Sequence, residues 1–231
     1  MTADELAAWN QVLARLPAEE RVRVALERLP GQHLLTSSFG AQAAVSLHML
    51  TRQQPDLPVV LLDTGYLFPE TYAFVERLTE QLDLNLKTYR SHRSPQEQEA
   101  ADGRRWELGF DGLEAYNFEN KIEPMRRALD ELEVGTWFTG LRRDQASTRA
   151  DTPFVQVTGD RYKVAPLADW TDRDIFRYLK RHNLPYHPLW DQGYVSIGDV
   201  HSTRTLAEAG TAELTRFGGL KRECGLHDRA L

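Results

Sequence analysis

The run His33-Leu34-Leu35-Thr36-Ser37-Ser38-Phe39-Gly40 decides the fold. An apolar segment of strand length ends in a polar turn. From Ala41 to Gln53, Ala44, Leu47, His48 and Leu50 then recur at helical spacing. The unit is therefore strand, loop, helix. It repeats at once: Leu57 to Leu62 is a second apolar strand that stops at Asp63-Thr64-Gly65, and Pro69 suits the first turn of a helix running to about Leu82. Leu84 to Tyr89 reads as a third strand. Alternating strands and helices of this size predict a doubly wound, mostly parallel α/β sheet covered on both faces.

Upstream, Ala3 to Leu29 predicts one or two amphipathic helices, interrupted near Pro17 and ended by Pro30-Gly31. Downstream, Ser94 to Asp111 is polar and looped or partly helical, and Leu113 to Leu132 is mostly helical. Gly135 to Gly140 forms a fourth strand, and Phe154–Val157 with Tyr162–Val164 suggests a β-hairpin. Thr171 caps a helix that reaches His182. Periodicity weakens after Pro185, and the last thirty or so residues are polar and Gly-containing. The expected organisation is one α/β domain, 1–200, followed by a mobile C-terminal tail, 201–231. No repeat or low-complexity linker interrupts it.

Composition narrows the function. The 231 residues, 41% of them hydrophobic, suffice for one sizeable core and not for two large domains. No apolar run approaches the roughly 20 residues needed to span a bilayer. Met1 to Asn10 carries Asp4 and Glu5 without a basic stretch, which does not read as a signal peptide. The expectation is a cytoplasmic protein that does not engage a membrane. The net charge of −6 lacks the basic footprint of a nucleic-acid binder but leaves room for a local cationic site for a small anion. The single cysteine, Cys224, cannot form an intramolecular disulfide or supply four thiolates to an iron–sulfur cluster. The seven histidines show no tight metal-ligand spacing.

Four segments carry candidate chemistry. Ser37, Ser38 and Gly40 lie between a strand and a helix, where a doubly wound sheet binds ligands and a helix N-terminus attracts phosphate. They read equally as a turn and helix cap. Asp63 could bond a ribose or an adenine, or simply close an Asx turn. Arg142 and Arg143 follow the fourth strand and could clamp phosphate through paired hydrogen bonds, or form surface ion pairs. In the tail, Lys221, Arg222 and His227 surround Cys224 with positive charge, which favours the reactive thiolate. These charged neighbours argue against an inert core thiol.

Together these segments resemble a known family. Ser37 to Ala44, Asp63 to Thr71, Trp137 to Arg143, Tyr186 to Asp191 and Lys221 to His227 are similar, in order, to the thioredoxin-dependent phosphoadenylyl sulfate reductases of sulfate assimilation. Glu223-Cys224-Gly225-Leu226-His227 is the most specific piece. The Ser37 loop resembles a modified pyrophosphatase loop of the adenine nucleotide alpha hydrolase-like (PP-loop) fold.

The resemblance implies covalent catalysis: Cys224 attacks the sulfonucleotide sulfur, and reduced thioredoxin (or glutaredoxin) then releases sulfite. It implies that Ser37, Ser38 and Gly40 line the nucleotide loop, Asp63 lies near the adenosine, and Arg142 and Arg143 face the phosphates. Lys163 on the hairpin could meet the sulfate. Arg204, Arg216, Lys221, Arg222 and His227 are candidates for holding the phosphosulfate and thiolate. A homodimer is also implied. Cluster-containing adenylyl sulfate reductases carry paired cysteines where Tyr116-Asn117-Phe118 and Asp199 and Ser202 stand here. No cluster and no other bound cofactor are expected, and the 3′-phosphorylated substrate is favoured over adenylyl sulfate. Two rivals are a PP-loop ATP pyrophosphatase or ligase, whose loop pattern Phe39 and Gln42 break, and a non-catalytic nucleotide sensor, in which Cys224 would be dispensable.

Overall fold

A computed structural model describes residues 1–217 and Gly225. Among these residues six strands form one sheet: β1 (Gln32–Thr36), β2 (Pro58–Leu62), β3 (Asn85–Tyr89), β4 (Val134–Thr139), β5 (Val155–Thr158) and β6 (Arg161–Val164). Their order is β3-β2-β1-β4-β6-β5. All neighbours run parallel except β5 and β6, the expected hairpin at one edge. The helices are α1 (Ala3–Leu13), α2 (Ala18–Arg28), α3 (Ala44–Thr51), α4 (Pro69–Leu82), α5 (Pro95–Asp102), α6 (Gly109–Asn117), α7 (Glu123–Glu131) and α8 (Asp172–Arg181), with a short α9 (Leu206–Ala209).

Side-chain alternation along the strands builds two cores. Leu35, Val59, Leu61 and Phe138 join α1, α2, α3, α4 and α8 on one face. Leu34, Val60 and Trp137 point the other way, onto Met125, Ala128 and Leu129 of α7. Strands buried on both faces are apolar at successive positions, as Leu34-Leu35 in β1 and Val59 to Leu61 in β2 are. Each fully buried Leu or Phe in these layers contributes about 1.5–3 kcal/mol.

Several boundaries follow from local chemistry. Pro17 stands at the N-cap of α2, so the break comes where proline removes a helical donor. Thr171 accepts from the Asp174 amide while Asp174 reaches back, a capping box that starts α8. The segment read as mostly helical from Leu113 to Leu132 is so: it holds most of α6 and all of α7, joined by a π-helical turn over Phe118–Ile122 that buries Asn120 and Lys121. Helix α3 begins at Ala44, leaving Ala41–Ala43 as turn. Residues beyond 200 also make contacts with the rest of the described chain. Thr203 pairs with Arg216, and Phe217 packs on Leu113 and Tyr116.

Candidate active site

A cleft of about 440 Å³ opens at the carboxyl ends of β1, β2 and β4. The chain leaves β1 toward β2 on one side and reaches β4 on the other, so the cleft sits where the sheet order reverses, the usual ligand position in this architecture. One wall is the loop after β1. There Ser37 Oγ accepts from the Phe39 amide at 3.1 Å, and Phe39 adopts φ +49° to drive its ring into the core. That turn leaves Ser37, Ser38, Gly40 and Gln42 lining the cleft. Ala43, the N-cap of α3, lines it too, so the positive end of that helix faces the cavity.

Among the described residues, four cations line the cleft: Lys121, Arg142, Arg149 and Arg216. Arg142 is buried. It donates to Trp170 O at 3.0 Å, Gln42 Oε1 at 2.6 Å and Asp172 Oδ1 at 2.7 Å. It therefore pins the loop after β1, through Gln42, to the start of α8. Burial raises the Asp172 carboxyl, but hydrogen bonds from Gln42 and Arg142 outweigh this and leave it below its ordinary value. Lys121, delivered by the π turn, donates to Asp199 Oδ2 at 2.6 Å, and Thr64 donates to Asp199 Oδ1 at 2.6 Å. Asp199 is fully buried. Burial alone would raise its pKa, yet the Lys121 charge and these two hydrogen bonds hold it well below the usual carboxylate range.

The expected site residues divide. Ser37, Ser38, Gly40, Arg142 and Arg216 line the cleft, whereas Arg143, Asp63, Lys163 and Arg204 do not. Arg143 donates to Thr152 O at 2.8 Å and lies 4.9 Å from the Phe154 ring centroid, because the chain turns after β4 and sends successive side chains opposite ways. Asp63 closes an Asx turn to the Gly65 amide and accepts from Tyr72 and Arg90, in a separate depression. Its neighbour Thr64 takes the cleft side. Lys163 is buried with its ammonium 5.3 Å from the Trp137 ring, where the strand alternation of β6 directs it. Arg204 is exposed and uses its amide to bond Thr215 O. Cys224, His227, Lys221 and Arg222 lie outside the described residues.

Sequence reasoning missed Lys121, Arg149 and Asp199 as site residues. Arg149 follows Arg142 by seven positions in the same loop, a usable signal; Lys121 and Asp199 are 78 residues apart and leave none. The segments holding Tyr116 and Asp199–Ser202 meet here. Their meeting place is packed with aromatic rings: His201 stacks on Trp106 at 3.9 Å, with Tyr116 edge-on at 5.0 Å. Among the described residues, no group of three or more His, Cys, Asp or Glu could hold a metal.

The family model described as "Phosphoadenosine phosphosulfate reductase domain" matches residues 32–205. The chain belongs to this reductase family. The phosphoadenosine 5′-phosphosulfate reductase of Xylella fastidiosa is 61% identical over 225 residues, covering 97% of this chain and 95% of that one. The enzyme of the same name from Xanthomonas campestris is also 61% identical, covering 97% and 93%. Among solved structures, phosphoadenylyl-sulfate reductase from Candida auris in a phosphate complex superposes with a TM-score of 0.78 at 30% identity, covering 88% of this chain and 98% of that chain. The FMN adenylyltransferase of Candida glabrata, at 18% identity and TM-score 0.60, covers 90% of this chain and 70% of its own; it shares the fold alone. Like other members of the reductase family, this chain is an oxidoreductase that reduces 3′-phosphoadenylyl sulfate in sulfate assimilation. Its fold is the doubly wound PP-loop type. Among the described residues no helix is long and apolar enough to cross a membrane.

Proposed function

We propose that the reduction runs through a Cys224 S-sulfocysteine and that thioredoxin, or glutaredoxin, supplies the electrons. The observation that carries this reading is a cleft lined by Lys121, Arg142, Arg149 and Arg216, with Cys224 eight residues beyond Arg216 in the sequence. The cleft offers cations for a phosphosulfate, the loop from Ser37 offers hydroxyls and a helix N-terminus, and the chain supplies one nucleophile.

In the first step the Cys224 thiolate attacks the sulfonate sulfur. The S–S bond forms as the bond from sulfur to the bridging oxygen breaks, and adenosine 3′,5′-bisphosphate leaves with that oxygen. The cationic cleft stabilises the charge developing on the leaving phosphate. In the second step a thiolate of reduced thioredoxin attacks Cys224 Sγ and expels sulfite. The second thioredoxin thiol then resolves the mixed disulfide. Two electrons pass from the dithiol to sulfur, so the chain needs no second cysteine. Lys221, Arg222 and His227, next to Cys224 in sequence, would hold its thiolate form. A chain with one cysteine cannot bind a cluster through four thiolates, which supports a cluster-free enzyme. The rest of the reading is a cytoplasmic homodimer whose catalytic tail follows the α/β domain.

The test is Cys224→Ser. The variant should lose sulfite production with thioredoxin while binding adenosine 3′,5′-bisphosphate as the unmodified protein does. Retained turnover would remove Cys224 from the mechanism.

A further inference from the structure

We propose that Phe217 is a positioning residue for this reduction: it anchors the chain leading to Cys224 at the wall of the cleft. The proposal rests on Cys224 being the nucleophile. Phe217 is buried and holds φ +51°, a left-handed conformation that is costly for a bulky side chain and persists only where the surroundings impose it.

Those surroundings are specific. The ring packs on Leu113 and Tyr116. The Lys121 ammonium lies 5.2 Å from its centroid and the Arg216 guanidinium carbon 5.1 Å. Lys121 is also 5.3 Å from the Tyr116 ring, so one ammonium is shared by two aromatic faces while it bonds Asp199. Just upstream the backbone is fixed as well. The Arg204 amide donates to Thr215 O at 2.9 Å, Thr203 bridges Arg216, and Thr215 is fully buried. Gly198 leaves space that the Arg216 guanidinium fills. The direction of the chain at residue 217 is thus set from behind by the bridge and from the side by the ring.

Phe217 lines the same cleft as Ser38 and Arg142. Cys224 follows seven residues later in the sequence, a span of about 25 Å at most. The rate of a tethered nucleophile depends on where its tether starts and which way it leaves. Phe217 fixes both. Replacing it lowers the rate of sulfur transfer more than it lowers nucleotide affinity.

The experiment compares the unmodified protein with Phe217→Ala and Phe217→Leu. Each reduced protein is mixed with phosphoadenylyl sulfate without a thiol donor, and S-sulfocysteine is followed by mass over time. Affinity for adenosine 3′,5′-bisphosphate is measured separately by calorimetry. Phe217→Ala should slow adduct formation roughly tenfold with affinity changed by less than about twofold. Phe217→Leu keeps apolar packing but no π face and should fall between, which guards against simple unfolding. A Phe217→Ala rate equal to the unmodified protein's overturns the anchor, as does an equal loss of rate and affinity. If the unmodified protein forms no adduct, the Cys224 reading fails and this proposal falls with it, a result distinct from either.

Discussion

Removing the Asp199 carboxylate should destabilise the protein more than any other single loss of charge in the cleft. The side chains of Asp199 and Lys121 are 2% and 9% exposed, and their ion pair spans 2.6 Å. Asp199→Ala leaves a buried ammonium without its counter-charge. Breaking a buried pair from one side costs about 3–5 kcal/mol. In a chain of this length that lowers Tm by roughly 6–20 °C. Asp199→Asn keeps one acceptor oxygen, for Lys121 or for Thr64, and should cost less than Asp199→Ala. Replacing both partners, Asp199→Leu with Lys121→Met, should recover much of the loss, because apolar groups carry no desolvation penalty. The assay is urea unfolding of the three variants at pH 7, repeated at lower pH. The folded Asp199 pKa is depressed, so its contribution is complete above the ordinary carboxyl value near 4 and disappears as pH falls through the folded value. The gap between the unmodified protein and Asp199→Asn should therefore be flat above about pH 5 and shrink below about pH 4. A loss under about 1 kcal/mol for Asp199→Ala, or a gap that widens in acid, would refute the reasoning.

Three further outcomes follow from the site. Arg142→Ala should raise KM at least about tenfold by freeing Gln42 and the loop after β1, whereas Arg143→Ala should cost about 1–2 kcal/mol of stability with KM nearly unchanged; steady-state kinetics showing the reverse order would contradict the assignment. Gly198→Ala places a methyl group on the Arg216 guanidinium and should raise KM several-fold, so an unchanged KM in a substrate titration would show that Arg216 does not need that position. Buried His187 accepts from the Leu189 amide through Nδ1, so its Nε2–H donates to Thr71, and burial lowers its pKa to about 4. This depressed group stabilises the fold fully above its ordinary pKa of about 6.5 and loses that contribution as pH falls toward 4. His187→Gln should lessen the slope of the urea midpoint over that window, the remainder coming from His48 and His201, whose pKa values burial also lowers to about 4; an unaltered slope would exclude a contribution from His187.

The sheet was legible because Leu34-Leu35 and Val59 to Leu61 are apolar at every position, as strands buried on both faces must be. The cleft's place followed from the loops that end those strands, and Ser37, Ser38 and Gly40 came with it. What a strand end cannot show is which of two adjacent residues turns inward. Arg142 and Arg143 read alike in sequence, as do Asp63 and Thr64, and only the backbone dihedrals after the strand separate them. Within the helical segment from Leu113 the π turn adds a residue to the period just before Pro124, which has no N–H to donate and stands in the first turn of α7. Lys121 and Asp199 escaped because no local pattern joins residues from a helical turn and a loop that meet only in the folded chain.

The central claim is that Cys224 carries the sulfonate, and intact-mass measurement tests it most directly. Reduced protein incubated with phosphoadenylyl sulfate alone should gain about 80 Da, one SO₃ group, mapped by peptide analysis to Cys224 and released as sulfite when reduced thioredoxin is added. An unmodified mass, with the nucleotide demonstrably bound, would contradict the account.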